Sequence, residues 1–129
     1  VPATAEGFAA ASALVRDGAS VLVTAVYSVA QALACASIGV RYIAPYLGRM
    51  RDAGLDGADL ISGMQAVCEG TDTNVLAASL RSPQDIVELR LAGVPYFTTA
   101  PHVLDALLHD PVSDSSAAEF DAAMGRLGA

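Results

Sequence analysis

Three side chains that could bind an anion follow apolar segments that are typical of β-strands. Arg49, Ser79 and Arg81 come at or just after the ends of two such segments. A guanidinium donates paired hydrogen bonds to phosphate oxygens, and a hydroxyl beside a helix N-terminus adds the helix dipole and the free N–H groups of the first turn. Together these residues predict a site for a phosphate group, of the kind that a sugar phosphate carries.

Acidic residues near the arginines allow a plainer interpretation of the same segment. Arg49 and Arg51 could simply pair with Asp52 or Asp56, and the spacing alone leaves this alternative open. These two acids, together with Asp59, lack the spacing of a calcium-binding loop. We expect the three acids to cap helices or to lie in solvent.

Two further polar side chains, Thr24 and Tyr46, stand at the ends of neighbouring predicted strands. Such groups can hold a water molecule, and a suitably placed tyrosine can act as a general acid or base. The alternative is that each is a structural hydrogen-bonding residue. The sequence therefore offers a candidate proton-handling pair beside the candidate phosphate site.

The cysteines and histidines are not arranged as a metal site. Cys35 and Cys68 lie in separate apolar helical patterns without a C-x-x-C pair, which predicts buried, reduced thiols. His102 and His109 flank Asp105 two turns apart on a predicted helix, too far apart to share one ion, so we expect solvated side chains. We expect neither a metal nor another cofactor.

Apolar segments alternate with helical patterns along the chain. One helix start is marked by Ser82 as N-cap, Pro83 at the first helical position and Asp85 at the third. Strands that alternate with helices through short connections predict βαβ units and a parallel sheet. The predicted strands are 20–24, 40–44, 74–79 and 94–98, and the predicted helices are 5–17, 28–37, 58–69, 83–92, 101–109 and 115–127.

Four strands with helices fit either a small doubly wound sheet or half of a (β/α)₈ barrel. A complete barrel needs about 250 residues, so 129 residues cannot close one. The start, Val1 to Gly7, resembles a strand tail that turns into a helix, with no initiator methionine. We therefore expect residues 1–129 to form one partial domain, the C-terminal half of a (β/α)₈ TIM barrel whose N-terminal half is absent.

Composition excludes several classes of protein. The chain is 53% hydrophobic and only 16% charged, too apolar for disorder. Its net charge of −7 argues against a nucleic-acid partner, which needs a basic surface. No apolar run reaches the roughly 18 residues of a membrane helix, and no signal peptide is visible. All seven basic residues are arginine, so the chain contains no lysine.

These strand-end segments also carry a family resemblance that runs nearly from end to end. The chain resembles the transaldolase family, in particular its small fructose-6-phosphate aldolase-like subgroup. Each motif is weak alone, but their order and spacing are highly specific. The motifs are Val1-Pro2-x-Thr4-x-Glu6-Gly7, Tyr27-Ser28-x-x-Gln31-Ala32, Tyr42-Ile43-Ala44-Pro45-Tyr46-Leu47-Gly48-Arg49, Val75-Leu76-Ala77-Ala78-Ser79-Leu80-Arg81 and His109-Asp110-Pro111.

The resemblance implies a cytoplasmic (β/α)₈-barrel enzyme that makes or breaks carbon–carbon bonds through a lysine Schiff base. In the family the nucleophilic lysine immediately precedes the Val-Pro pair, so it is expected just before Val1. Thr24 matches the threonine that helps to hold the catalytic water. Tyr46 matches the tyrosine that assists proton transfer in the aldolases, at a position where transaldolases tend to have phenylalanine.

The resemblance also assigns the substrate contacts. Arg49 and Ser79 match the phosphate-binding pair, and Ala44 matches a small residue that lines the substrate pocket. Arg81 matches a basic residue that is arginine in transaldolases and lysine in the aldolase, so the subgroup indications are mixed. The implied substrates are sugar phosphates such as fructose 6-phosphate, and the chain alone is expected to be inactive.

Two expectations concern partners. The family's terminal helix packs on neighbouring subunits, so the predicted helix 115–127 implies a ring-like homo-oligomer, a decamer in the complete protein. We expect no nucleic-acid or membrane partner. The alternative to an enzyme is a lysine-free relative that binds sugar phosphates without catalysis, or a half-barrel that serves as an interaction module.

Overall fold

The computed structural model describes residues 1–128, which form a single parallel sheet and the helices around it. The chain alternates strand and helix as the sequence predicts, so the α/β class is confirmed. The strands are β1 (Leu22–Thr24), β2 (Tyr42–Ala44), β3 (Asn74–Leu80) and β4 (Tyr96–Thr99). The helices are α1 (Ala5–Arg16), α2 (Val29–Ile38), α3 (Leu47–Asp52), α4 (Gly57–Cys68), α5 (Pro83–Leu91), α6 (Pro101–Leu108) and α7 (Pro111–Gly128).

The order of the strands decides between the two predicted folds. The order in the sheet is β1-β2-β3-β4, and every neighbouring pair is parallel. A doubly wound sheet reverses its strand order at a switch point, whereas strands that follow one another in sequence place all right-handed crossovers on one face. The chain therefore has the architecture of half a (β/α)₈ barrel, as predicted.

Alternate residues of the strands confirm that only one face of the sheet is covered. Val23, Ile43 and Val75 are fully buried beneath the helices. Tyr42 and Tyr96 lie on the other face with their rings edge to face at 5.6 Å, and Tyr96 is 46% exposed. The second face corresponds to the interior of a barrel.

The core lies between the sheet and the helices and contains both cysteines. Cys35 and Cys68 are free and buried among aliphatic side chains such as Ile61 and Met64, which confirms the prediction of reduced thiols. Burial, and then the nearby Cys68, raises the pKa of Cys35 to about 11. Both thiols are therefore protonated at neutral pH and unreactive.

The first residues of the chain continue the sheet beyond β1. The amino group of Val1 donates to the Leu22 carbonyl at 3.0 Å, and the Thr24 N–H donates to the Val1 carbonyl at 2.8 Å. Ala3 then donates to the Thr24 carbonyl at 2.9 Å before α1 begins. The predicted strand tail that turns into a helix is confirmed.

Two helices differ from the prediction by more than one residue at an end. The short helix α3 was not predicted, because six residues that contain Gly48 carry little periodicity; it forms because Leu47 and Met50 are fully buried. Helix α7 begins at Pro111 rather than at residue 115. The Asp110 carboxylate accepts from the N–H groups of Val112 and Ser113, at 2.9 and 3.0 Å, and so caps the helix.

Helix α7 buries none of its residues and carries large apolar side chains in solvent. Val112, Phe120, Met124 and Leu127 are 66–82% exposed. The predicted role of this segment in an oligomer stays a prediction. None of the helices described has the length and apolar composition of a membrane span.

Candidate active site

The end of β3 has an irregular backbone that re-aims its side chains. Between Ala77 and Leu80, β3 has one residue more than the paired stretch of β4. Ser79 lies in this stretch with φ at 57°, in the left-handed region that a non-glycine residue enters at a cost of about 1–3 kcal/mol. A bulge of this kind turns a side chain out of the alternating pattern, and here Ser79 lines a cavity together with residues that follow β2.

A cavity of about 300 Å³ opens at this edge of the sheet. Its lining residues are Tyr46, Arg49, Ala78 and Ser79. A parallel bridge between Tyr46 and Ala78 fixes the backbone on both sides. The structure thus brings together three predicted site residues from two different strand ends.

Arg49 reaches this cavity without an ion-pair partner among residues 1–128. Its guanidinium carbon lies 5.2 Å from the centre of the Tyr46 ring, a cation–π contact. Tyr27 meets the same ring edge to face at 6.0 Å. Tyr46 is therefore held between two neighbours, while its hydroxyl has no hydrogen-bond partner among the described residues.

The alternative in which Arg49 and Arg51 pair with Asp52 or Asp56 is wrong. Arg51 instead donates to Asp85 and, at 2.7 Å, to Glu88 on α5. Asp52 accepts two hydrogen bonds from a different arginine, Arg81, described below. Of the arginines near the cavity, Arg49 is the one whose positive charge is available to a ligand.

Arg81 follows β3 but turns away from the cavity. Its two terminal nitrogens donate to the two Asp52 carboxylate oxygens at 2.7 and 2.6 Å. The hydrogen bonds to Asp52, first of all, and the attraction of its charge raise the pKa of Arg81. The prediction that Arg81 binds phosphate stays a prediction, and any such contact requires the side chain to leave Asp52.

Buried Asp85 ties down the loop between β3 and α5. Its second carboxylate oxygen accepts from the N–H groups of Arg81 and Ser82 at 2.8 and 3.2 Å. Burial would raise the pKa of Asp85, but these hydrogen bonds and the Arg51 guanidinium outweigh it and lower the pKa. The expectation of free N–H groups beside Ser79 is wrong for these two donors, because Asp85 accepts from both. Its bond from Ser82 is part of the capping box that predicts the helix start.

The sequence matches a family of known proteins. The family model for transaldolase/fructose-6-phosphate aldolase matches residues 1–128. The chain belongs to this family. Proteins named probable transaldolase match it throughout: those of Phenylobacterium zucineum and Kosmotoga olearia are each 38% identical, over 99% and 93% of this chain. The corresponding protein of Symbiobacterium thermophilum is 36% identical over 98%. The chain spans 60%, 56% and 62% of these three relatives.

Thr24 and Ala44 are the remaining residues that the resemblance to the transaldolase/fructose-6-phosphate aldolase family assigned to the site. Thr24 and Ala44 are register partners at the ends of β1 and β2, at the same edge as the cavity. Ala44 is buried, and the Thr24 hydroxyl donates a long hydrogen bond of 3.4 Å to the Val1 carbonyl. Neither residue lines the 300 Å³ cavity. Within residues 1–128, no three His, Cys, Asp or Glu side chains are grouped as metal ligands.

Sequence reasoning missed the role of Gln31 at this edge. Its side-chain oxygen accepts from the Tyr27 N–H at 2.9 Å, and its nitrogen donates to the Ala3 carbonyl at 3.2 Å. The glutamine therefore links the loop after β1 to the loop after Val1 and Pro2. The quoted motif included Gln31, but nothing in its spacing showed which backbone groups it would bridge.

Gly48 is required by the close approach of two segments, and its replacement should show this. A Cβ atom at Gly48 would lie 2.7 Å from the Ser79 carbonyl oxygen and 2.7 Å from Arg81 Nε. Because one of these neighbours is backbone, Gly48→Ala should destabilise the fold by about 1–3 kcal/mol in urea unfolding. In the matched control Gly125→Ala the new Cβ meets nothing within 4 Å, so it should leave stability unchanged or slightly raised. Equal stability of the two variants would contradict the crowding at Gly48.

Proposed function

We propose that this chain supplies the phosphate-binding and proton-transfer part of a Schiff-base aldolase or transaldolase that acts on sugar phosphates such as fructose 6-phosphate. The observation that carries this proposal is the cavity at the carboxyl edge of the sheet. There an unpaired guanidinium, Arg49, and the Ser79 hydroxyl share one opening with the Tyr46 phenol. Family membership agrees with such chemistry.

The proposed nucleophile is a lysine joined to Val1. Val1 runs beside β1, with its nitrogen 3.0 Å from the Leu22 carbonyl, so a preceding residue would continue the same strand. A neutral lysine amine adds to the ketose carbonyl and expels its oxygen as water, which leaves an iminium ion. Loss of the proton from the hydroxyl on the β-carbon then breaks the bond between the α- and β-carbons. The electron pair of that bond moves onto the iminium to give an enamine, and the aldehyde leaves.

No side chain in the sequence can replace that lysine. The sequence contains no lysine, and a guanidinium is effectively always protonated, so it has no free electron pair for attack. The chain is therefore proposed to be inactive alone. Its own contribution is to hold the phosphate, which fixes the substrate relative to the nucleophile, and to move a proton through Tyr46.

The phosphate contact is tested by Arg49→Gln in the whole protein. Charge-assisted hydrogen bonds contribute about 1.5–3 kcal/mol, so KM for fructose 6-phosphate should rise about 10- to 100-fold. Steady-state kinetics with unphosphorylated fructose should show no change, because that substrate has no group for Arg49 to bind. The control is Arg16→Gln, at the end of α1 that faces the opposite edge of the sheet. Equal losses with both substrates would contradict the phosphate assignment.

A second candidate function is a non-catalytic sugar-phosphate-binding module. It needs only the phosphate contacts of Arg49 and Ser79 at the cavity, and this chain supplies both. Both candidates share the same small-molecule ligands. We also propose a cytoplasmic homo-oligomer in which the exposed apolar side chains of α7 are covered.

A further inference from the structure

The ion pair between Arg81 and Asp52 joins the two segments that line the cavity. Asp52 is the last residue of α3, the helix that carries Arg49, and the Arg81 backbone is two residues beyond Ser79. The Arg81 side chain crosses directly over Gly48, where Nε and Cζ lie 2.7 and 2.8 Å from the position of an added Cβ. The pair is therefore next to the cavity, although neither side chain lines it.

The pair is too exposed to serve mainly as a stabilising contact. The Arg81 and Asp52 side chains are 56% and 61% exposed. Exposed ion pairs contribute little to the stability of a fold and are weakened by salt. A competing anion of higher charge can therefore displace the carboxylate at little cost to the fold.

The base of the Arg81 side chain is fixed while its end is free to move. The Arg81 N–H donates to buried Asp85 at 2.8 Å, which holds the backbone in place. Only the flexible side chain has to rotate for the guanidinium to exchange Asp52 for a phosphate held by Arg49 and Ser79. Asp52 opposes this exchange because it occupies the guanidinium.

We propose that Asp52 is a specificity-determining residue that competes with the substrate phosphate for Arg81. This inference rests on the proposed function, because it takes the cavity as the phosphate site. A dianionic phosphate monoester can displace the carboxylate, whereas an uncharged sugar cannot. Asp52 thus weakens anion binding in general and reserves the Arg81 contact for ligands that carry a phosphate.

The test is a titration of the purified protein with inorganic phosphate at fixed ionic strength, in which binding is measured by ³¹P NMR or calorimetry. Asp52→Asn should tighten phosphate binding about 3- to 10-fold, in the range of a charge contact. The control Asp72→Asn removes the same charge from an exposed loop at the opposite edge and should change the Kd less than 1.5-fold, about the limit for a distant screened charge.

A double variant separates competition for the Arg81 guanidinium from simple charge repulsion between Asp52 and the phosphate. In Arg81→Gln protein, the added Asp52→Asn change should alter Kd less than about 2-fold, because the carboxylate no longer has a guanidinium to hold. Unchanged or weaker binding in Asp52→Asn alone would overturn the inference. An equal gain with and without Arg81 would overturn it too.

Arg49→Gln in the same titration separates the two proposals. If it abolishes phosphate binding while Asp52→Asn has no effect, the phosphate site stands and the competition by Asp52 fails. If Arg49→Gln binds normally while Asp52→Asn still tightens binding through Arg81, the competition stands and the proposed ligand set fails. Absence of saturable phosphate binding in every variant would overturn both.

Discussion

Replacement of Tyr46 by phenylalanine should lower kcat for sugar-phosphate cleavage in the whole protein by about 100-fold or more, the typical contribution of a general acid or base. Tyr46 lines the cavity, and its hydroxyl has no hydrogen-bond partner among the described residues, so the loss of the hydroxyl removes a reactive group and no structural contact. The ring itself should stay in place, because the contacts with Tyr27 and Arg49 involve its face and edge. KM for the phosphorylated substrate and the free energy of unfolding should therefore be nearly unchanged.

The matched control for this variant is Tyr42→Phe. Tyr42 is the first residue of β2, the strand that precedes Tyr46, and so lies near the opposite edge of the sheet, where its ring packs against Tyr96. It should retain full kcat. A Tyr46→Phe protein with normal kcat would show that the phenol moves no proton, and a loss of stability in place of kcat would indicate a structural role.

Replacement of Asp85 by asparagine should destabilise the fold by about 2–4 kcal/mol, as expected when one partner of a buried ion pair is removed. Asp85 is only 5% exposed and is the common acceptor for the Arg51 side chain and the N–H groups of Arg81 and Ser82. The asparagine side chain has only one oxygen that can accept from these donors. Its NH₂ group would face the donors that the second carboxylate oxygen serves in the wild type. Because Arg51 is partly exposed, we expect the lower half of that range in urea unfolding.

The effect of Asp85→Asn on the free energy of unfolding should depend on pH. The pKa of Asp85 is lowered in the folded state, so its stabilising contribution is fully present above the ordinary carboxyl pKa of about 3.9. That contribution is lost as the pH falls below this value toward the folded-state pKa. The stability difference between the wild type and Asp85→Asn should therefore be constant near neutral pH and shrink in acid.

The exposed control for Asp85 is Asp121→Asn on α7, which should be neutral in the same unfolding series. Looser packing of the loop after Ser79 should also raise the Kd for phosphate in Asp85→Asn. A variant as stable as the wild type at pH 7 would contradict the role of Asp85 as the buried acceptor of this loop.

Local patterns predicted most of the secondary structure. Ser82, Pro83 and Asp85 mark the start of α5 because capping depends only on neighbouring residues. The strand ends could be placed from their apolar content, and placing them was enough to bring Arg49 and Ser79 together at one edge. The family resemblance from the motifs is confirmed by the family model.

Features that depend on contacts between distant segments were not predictable. The pairing of Arg81 with Asp52, and of Arg51 with Asp85, requires α3 to lie beside the start of α5, and spacing along the chain does not contain that information. The left-handed conformation of Ser79 likewise arises from the uneven pairing of β3 with β4. Helix α3 forms because tertiary burial of Leu47 and Met50 outweighs its weak local pattern.

Borohydride trapping with dihydroxyacetone, followed by intact mass and peptide mapping, tests the central claim most directly. The proposed mechanism predicts a covalent adduct on a lysine directly ahead of Val1 in the whole protein, and none on any side chain of residues 1–129 alone. An adduct on a side chain of this chain would contradict the account of the nucleophile. A whole protein that binds sugar phosphates but forms no adduct would contradict the Schiff-base mechanism and favour the non-catalytic binding module.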